Sequence, residues 1–149
     1  MSTQEQFTAP TDPPPFVTLF QMVTGYYIIS RAIYVAAKLG IADWLKDGPR
    51  PYDELAKATG THAPSLYRLL RLLASAGVLT VQEEGYFALT PIGAYLQTEI
   101  PGSLRAVALQ YTGPLHQQAW SALLHSVQTG ETAFDHLFGM GLFPYFPQH

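Results

Sequence analysis

A helix–turn–helix pattern in the middle of the chain places the strongest constraint on its fold. Residues 51–89 read as two short helices joined by a turn at Gly60, with a β-prone segment after them. A left-handed C-cap residue is expected at Gly77, where the second helix ends. The second helix carries four leucines at the i, i+3, i+4, i+7 spacing of one apolar stripe, namely Leu66, Leu69, Leu70 and Leu73. This spacing predicts that the helix buries one face in the domain.

Two β-prone runs follow this pattern and predict a small wing. Val78–Gln82 and Tyr86–Leu89 flank the tight segment Glu83-Glu84-Gly85, which suits a hairpin with Gly85 at the position of positive φ. We therefore predict a mainly α fold of the winged-helix class. It consists of a helix-turn-helix plus a small β-hairpin wing, with additional N- and C-terminal interface helices.

The connections around this pattern give weaker signals. Trp44 is expected to point inward from one short helical turn, and residues 47–51 are expected to form a loop. Thr61 and Ser65 are the candidate N-cap residues of the second helix. After the wing, Thr90 is a candidate N-cap because a proline follows it at the first helical position.

A long apolar helix is predicted before the winged-helix pattern. Residues 16–39 are apolar on nearly every side of the predicted helix, and Gly25 marks a candidate break or close helix approach. Apolar residues make up 48% of the chain and charged residues 13%, roughly half the usual charged share. One small domain cannot cover such a helix, so we expect a second copy to cover it through a two-fold contact. The alternative is an ordinary hydrophobic helical domain with few surface charges.

This helix begins in an uncharged run that requires a membrane-span test. Residues 13–30 carry no charge, but they open on three prolines and include Gln21, Thr18 and Thr24. A bilayer-spanning helix needs roughly 20 apolar residues, so we expect this run to be too short and too interrupted to cross one. No membrane partner is therefore expected.

The two ends of the chain differ from its middle. Residues 1–15 are polar and proline-rich, which predicts a disordered or extended arm. Residues 16–99 form the predicted winged-helix domain, and residues 100–149 are expected to add further helices. Within these, residues 115–128 predict one helix with an apolar stripe at Trp120, Leu123, Leu124 and Val127. The aromatic, nearly uncharged tail is expected to pack on another segment or to continue in a longer chain.

DNA binding is the usual use of a winged helix, but this sequence gives it little support. Arg68 and Arg71 lie on the outer face of the second helix, whereas the wing tip carries Glu83 and Glu84. Carboxylates at the point of phosphate approach are unfavourable, and the formal net charge of −3 provides no basic footprint. The simpler interpretation of the two arginines is a solvated face or local ion pairs to Asp53 or Glu54, so we expect no nucleic-acid partner.

The residues themselves predict no catalytic, cofactor-binding or metal-binding site. The histidines form no HxxxH or HExxH pair, and His116 and His125 are each expected to be surface or hydrogen-bonded interior residues. No GxGxxG, GxxxxGK[ST] or GxSxG motif is present. The chain has no cysteine, which excludes thiolate ligands, and its N-terminus lacks the basic region of a secretory signal. We therefore expect a cytoplasmic protein.

Four sequence runs together resemble one protein family. These runs are VAAKLGIADWL, ELAKATG, APSLYRLLRLLASAGVLT and GYFALTPIGAYL. They resemble the N-terminal dimerisation domain of the S-adenosylmethionine-dependent small-molecule O-methyltransferases, the plant-type group with bacterial relatives in secondary metabolism. The later run WSALLHSVQTGETAFDHLFG is similar to the helices that connect this domain to the catalytic domain of the family.

The resemblance implies a dimerisation and substrate-lid region that is inactive alone. It implies a homodimer and, in the full-length protein, S-adenosylmethionine and a small aromatic acceptor with a hydroxyl group. The family's cofactor and catalytic motifs are missing from this sequence, so none of its residues takes those roles. The implied dimer-interface and partner-pocket residues are Phe16, Phe20, Val23 and Tyr27, and the implied substrate-pocket residues are Trp120 and Phe134. Two alternatives are a winged-helix DNA-binding transcription regulator and a stand-alone module that binds aromatic ligands.

Overall fold

The computed structural model describes residues 13–146 and is mainly helical. Residues 1–12, and with them most of the arm expected at 1–15, lie outside the described residues. The helices are α1 Pro15–Leu39, α2 Ile41–Trp44, α3 Tyr52–Thr59, α4 Ala63–Ser75, α5 Pro91–Ala94, α6 Arg105–Tyr111, α7 Pro114–Ser121, α8 Leu123–Thr129, α9 Ala133–Phe138 and α10 Leu142–Tyr145. The strands are β1 Arg50–Pro51, β2 Leu79–Glu83 and β3 Tyr86–Leu89. This arrangement confirms the predicted winged-helix fold with added terminal helices.

Helix α1 runs without interruption from Pro15 to Leu39. Proline is at its first position, where its missing N–H costs nothing, and Gly40 ends the helix with a left-handed φ of 66°. The break considered at Gly25 does not occur. A Cβ at Gly25 would meet nothing within 4 Å, so this glycine makes no close contact within the chain.

The hydrophobic core lies where α4 crosses the C-terminal third of α1. Leu66, Leu70 and Leu73 of the predicted stripe are buried, while Leu69 is half-buried. They pack with buried residues of the neighbouring elements: Ala32, Ala36, Ile41, Leu45, Leu55 and Phe87. Full burial of one leucine, isoleucine or phenylalanine side chain contributes about 1.5–3 kcal/mol, so the large residues of this cluster supply much of the stability of the winged-helix part.

The wing contains one strand more than the sequence predicts. The sheet has the order β1-β3-β2 with antiparallel pairing, and Arg50 of β1 lies opposite Phe87 of β3. The loop expected at 47–51 is therefore wrong at its last two residues. The backbone N–H of Tyr52 donates to the Gly85 carbonyl at 2.9 Å, which holds this short strand against the hairpin. Gly85 has a φ of 84°, as predicted for the hairpin turn.

The start of α5 is fixed to the ribbon by Thr90, the predicted N-cap. Its Oγ1 accepts a hydrogen bond from the Gly93 N–H at 3.1 Å, and its hydroxyl donates to the Gly77 carbonyl at 2.7 Å. A Cβ on Gly93 would lie 2.0 Å from the carbonyl oxygen of Val78, which leaves room only for glycine. These contacts hold the start of α5 against the segment that connects α4 to β2.

Two local predictions fail for identifiable reasons. Trp44 is 40% exposed, because the neighbouring Leu45 takes the inward position. The N-cap of α4 is His62, and neither Thr61 nor Ser65 caps it. The Ser65 hydroxyl instead lies 3.0 Å from His62 Nδ1 and accepts a hydrogen bond from Arg68 at 3.1 Å.

Two arginines fasten the C-terminal helices to α1. Arg31 of α1 donates through Nη1 to the carbonyl oxygen of Thr112, which follows α6. In return, Arg105 at the start of α6 donates through Nε to the carbonyl of Ala37, near the end of α1, at 2.9 Å. A cation at a helix C-terminus is favourable because the carbonyl oxygens there carry partial negative charge. Helix α6 is therefore anchored at both of its ends to the C-terminal part of α1.

The helix predicted at 115–128 is two helices. Ala122 leaves the helical region with φ −97° and ψ 16°, and it separates α7 from α8. Neither glycine nor proline marks this position, so no local sequence signal indicates the break.

Candidate functional site

The N-terminal half of α1 presents a large uncovered apolar surface. The exposed fractions of the four predicted interface residues are 75% for Phe16, 66% for Phe20, 68% for Val23 and 62% for Tyr27. Further large apolar side chains on the same half are also exposed, namely Leu19, Met22, Tyr26 and Ile28. We name residues 16–30 of α1 the outer half.

The two halves of α1 have opposite burial patterns. Small side chains of the C-terminal part, Ala32, Ala36 and Ala37, are buried in the core, with exposed fractions of 4%, 4% and 1%. The large side chains of the outer half point into solvent. Monomeric soluble proteins rarely leave such a contiguous apolar patch open, so the outer half has the character of an interface.

By length and composition alone, α1 is also a candidate membrane-spanning helix. It has 25 residues and a mean hydropathy of 1.2 in its best window, of which 6% is buried. The expectation that the uncharged run 13–30 is too short to cross a bilayer is not tested by this result, because α1 continues to Leu39. That continuation is the part that packs into the protein core and carries Arg31 and Lys38.

A cleft of about 340 Å³ lies between α1, α6 and α7. Tyr27 and Ser30 line it from α1, and Gln117, Trp120 and Ser121 line it from α7. Tyr111 and Thr112 close it at the end of α6. Sequence reasoning assigned Tyr27 to a partner's pocket and Trp120 to the chain's own pocket. The structure brings the two aromatic rings to the same cleft of one chain.

A second, apolar groove of about 270 Å³ adjoins this cleft below α5 and α6. Ser30, Tyr111 and Thr112 line both cavities, so the two are continuous along α1. The remaining lining side chains are mostly apolar and include Ile33, Ile92, Tyr95, Leu104 and Val107. Sequence reasoning missed this groove because its residues come from elements far apart in the chain.

Phe134 does not line either cavity. Its side chain is 9% exposed and packs against Phe138 and Tyr145, with ring centroids 4.5 Å and 5.4 Å away. It therefore belongs to an aromatic cluster that joins α9 to α10. In contrast, the stripe predicted on α7 and α8 is solvent-facing, with Trp120, Leu124 and Val127 exposed at 66%, 66% and 75%.

The histidines do not form a catalytic or metal-binding constellation in residues 13–146. No group of three or more His, Cys, Asp or Glu side chains there is arranged to hold a metal ion. His125 stacks on His136 with ring centroids 3.7 Å apart and lies 3.3 Å from the Glu131 carboxylate. The His116 ring is tilted against the Tyr111 ring, and its Nδ1 is buried without a hydrogen-bond partner in the described part of the chain, contrary to expectation.

The face that a DNA-binding winged helix would use is occupied by local contacts. Arg68 donates to Ser65, and the Arg71 guanidinium lies 5.8 Å from the centre of the Tyr67 ring. Within the described residues, neither arginine forms the ion pair to Asp53 or Glu54 that the sequence suggested. The wing tip is exposed and acidic, with Glu83 and Glu84 next to each other.

Comparison with known proteins points to one family. The family model of the O-methyltransferase dimerisation domain matches residues 21–99. The chain is 49% identical over 131 residues to phenazine O-methyltransferase PhzM of Lysobacter antibioticus, covering 88% of this chain and 38% of that protein. It is 42% identical over 107 residues to the mitomycin biosynthesis 6-O-methyltransferase of Streptomyces lavendulae, covering 71% and 31%.

Solved structures agree with this assignment. The crystal structure of LaPhzM superposes with a TM-score of 0.86 at 47% identity, covering 92% of this chain and 41% of that chain. The methyltransferase CalO1 of calicheamicin biosynthesis, solved in its SAH-bound form, gives a TM-score of 0.75 at 36% identity, with coverage of 92% and 41%. The chain thus spans about two fifths of the length of these relatives. The chain belongs to the O-methyltransferase family, and its residues 21–99 match the dimerisation domain of that family.

Proposed function

We propose that this chain is the dimerisation and acceptor-lid region of an S-adenosylmethionine-dependent O-methyltransferase. Its acceptor is a small aromatic secondary metabolite that receives the methyl group on a hydroxyl oxygen. The observation that carries the proposal is the uncovered outer half of α1, in a chain whose residues 21–99 match a dimerisation domain. The division into a domain at 16–99 and connecting helices at 100–149 belongs to the same proposal.

The partner that best fits the outer half is a second copy of the chain. Phe16, Phe20, Val23 and Tyr27 form the contact, and each carries an apolar side chain that is more than three-fifths exposed. No charge interrupts residues 16–30, so two such helices can pack together without burying an ionic group. A homodimer also fits two-fold symmetry, since the same surface serves both subunits.

The described residues do not form a binding site for the methyl donor. S-adenosylmethionine supplies an electrophilic methyl group when bound, and binding it in a Rossmann-type domain requires a glycine-rich turn after a parallel strand. Here the sheet is antiparallel, and the positive-φ glycines at 40, 60 and 85 serve helix ends and the wing turn. We therefore place donor binding and methyl transfer outside residues 13–146 and expect this chain alone to be inactive.

The role of the chain toward the acceptor is to supply a wall of its pocket. Tyr27 and Trp120 offer rings that face the cleft beside α1. Phe134, which is buried among α9 and α10, supports that wall by fixing the aromatic cluster behind α7 and α8. This cleft is adjacent to the dimer surface because Tyr27 belongs to both.

Membrane insertion and nucleic-acid binding are not part of the proposal. The core and the Arg31 contact hold the C-terminal part of α1, which leaves residues 15–30 free. Sixteen helical residues extend about 24 Å, which is less than the roughly 30 Å of a bilayer's hydrocarbon layer. The acidic wing and the occupied Arg68 and Arg71 disfavour phosphate contacts. A cytoplasmic enzyme fits these features.

Two measurements on the 149-residue chain test the proposal. Sedimentation velocity at micromolar concentration is expected to give a dimer, and amide hydrogen exchange is expected to show protection of the outer half of α1. Incubation with radiolabelled S-adenosylmethionine and a phenolic acceptor is expected to give no methylated product. A monomer with a rapidly exchanging outer half would contradict the dimer role. Methylation of the acceptor by this chain alone would contradict the proposal that methyl transfer takes place outside residues 13–146.

A further inference from the structure

The cleft between α1, α6 and α7 has the shape and lining of a small-molecule site. Its volume of about 340 Å³ falls at the lower end of the ligand pockets of proteins, which range over roughly 300–1,000 Å³. Tyr27, Tyr111 and Trp120 contribute three aromatic rings to it, and each is more than 60% exposed. Tyr111 and Trp120 are used neither in the core nor in the proposed subunit contact, so the faces of their rings are available to a planar ligand.

Apart from the phenol hydroxyls of Tyr27 and Tyr111, the polar side chains of this cleft are hydroxyls that already donate within the chain, such as Thr112 to the Ala108 carbonyl at 2.5 Å, and one amide. The Ser30 hydroxyl donates to the Tyr27 carbonyl at 2.9 Å, and the Ser121 hydroxyl donates to the Gln117 carbonyl at 2.8 Å. Both hydroxyls have therefore used their proton and offer the cleft only lone pairs. The side-chain amide of Gln117 makes no hydrogen bond within residues 13–146, so it retains both its donors and its acceptor. Gln117 is the half-buried lining residue with the fullest hydrogen-bonding capacity.

Charge is absent from the walls of the cleft. The nearby cation, Arg31, is turned to the Thr112 carbonyl, and its guanidinium lies 4.8 Å from the centre of the Tyr34 ring. None of the lining side chains is ionic. A ligand with a carboxylate or phosphate group would lose its hydration here without gaining a counter-ion, whereas a neutral ring system would not.

We propose that this cleft binds a planar, neutral aromatic molecule and that Gln117 selects it by hydrogen bonding to a hydroxyl group or ring nitrogen at its edge. The inference rests on the proposed function in taking this molecule to be the methyl acceptor. Binding itself requires only the residues described here. Gln117 is held in position because α7 packs on α6 and α9, and because the adjacent His116 ring contacts the Tyr111 ring in a tilted arrangement with ring centroids 5.1 Å apart.

The test uses the whole 149-residue chain labelled with 5-fluorotryptophan. The chain has two tryptophans, Trp44 and Trp120, which give two ¹⁹F NMR signals, and only Trp120 lines the cleft. The probe is 2-naphthol, and naphthalene serves as the same ring system without the hydroxyl group. We expect 2-naphthol to shift the Trp120 signal and to leave the Trp44 signal in place. Its apparent affinity should exceed that of naphthalene by about three- to tenfold, as one net hydrogen bond provides.

Gln117→Leu and Gln118→Leu form the matched pair of variants. Gln118 is exposed on the same helix and does not line the cleft, so its substitution controls for helix propensity and added apolar surface. Gln117→Leu is expected to bind naphthalene as well as the wild type does and to lose the preference for 2-naphthol. Gln118→Leu is expected to keep that preference.

The outcomes separate this inference from the dimer proposal. An unshifted Trp120 signal, or equal shifts of both tryptophan signals, would overturn the site. Retention of the 2-naphthol preference in Gln117→Leu would overturn the role of Gln117. A monomeric chain that binds 2-naphthol through Gln117 supports the inference while contradicting the homodimer, and a dimer that does not bind 2-naphthol does the reverse.

Discussion

Substitution of Val23 by glutamate gives the sharpest test of the dimer surface. Val23 is 68% exposed in the middle of the outer half of α1 and has no role in the core. The change should therefore leave the subunit folded and act only where a second copy covers the helix. Val81→Glu in the wing is the matched control, because Val81 is also an exposed valine, at 48%, on a surface not assigned to the contact.

The magnitude of the effect follows from burial of two identical sites. Loss of one buried valine side chain costs about 1.5–3 kcal/mol, and symmetry doubles this loss in a homodimer. Two carboxylates without partners in the contact add a further penalty of several kcal/mol. Because each 1.4 kcal/mol changes a dissociation constant about tenfold, the dimer should weaken by at least about a hundredfold.

Sedimentation velocity over a concentration series measures this change, and circular dichroism checks that the subunit remains folded. The wild type and Val81→Glu are expected to be dimers at micromolar concentration, whereas Val23→Glu is expected to be a folded monomer. If Val23→Glu and Val81→Glu have the same dissociation constant, the outer half of α1 is not the subunit contact. The reasoning from its exposure would then be wrong.

Three further predictions concern the scaffold and the wing. Arg105→Ala removes a charge-assisted hydrogen bond to the end of α1 and should lower the free energy of unfolding by about 1.5–3 kcal/mol. The control Arg68→Ala removes an exposed contact and should change the free energy of unfolding by under about 0.5 kcal/mol. Urea denaturation measures both changes. Gly93→Ala places a Cβ 2.0 Å from a backbone oxygen and should cost more than about 3 kcal/mol, while Gly25→Ala meets open space within the subunit and should be neutral or stabilising by up to about 1 kcal/mol. A Gly93→Ala protein as stable as the wild type would refute that close approach. Fluorescence anisotropy with mixed duplexes at low salt should show no binding tighter than the millimolar range, and submillimolar binding that Arg71→Ala weakens would restore the DNA hypothesis.

Periodic and turn-forming residues account for what the sequence predicted well. The leucine stripe that includes Leu66, Leu70 and Leu73 has one fixed spacing, and burial of that face forms the core of the winged helix. Gly85 and Thr90 act locally, through a positive φ and a side-chain cap, so their roles could be read without knowledge of the tertiary fold. The exposed outer half of α1 followed from its lack of charge.

Features that depend on distant partners could not be predicted in this way. Strand β1 exists because Arg50 and Pro51 pair with residues over thirty positions later in the chain. A strand of two residues is too short to show a periodic pattern in the sequence. The break at Ala122 has no glycine or proline to mark it. The cleft combines Tyr27 with Trp120, which are far apart in sequence, so neither residue indicates that the other shares its cavity. Phe134 shows the limit of reasoning from residue type, since an aromatic in a predicted pocket region proved to be interior packing.

The continuity of α1 links association to ligand recognition. The same uninterrupted helix carries the outer half, which includes the cleft residues Tyr27 and Ser30, and directly after it Arg31, which binds the end of α6. In the proposed dimer, a shift of this helix by the second subunit would alter the spacing between Tyr27 and α7. By thermodynamic reciprocity, a molecule that prefers one spacing must also change the affinity of the subunits for each other. The two proposals, dimer formation and binding of a small aromatic molecule, therefore predict that each equilibrium depends on the position of α1.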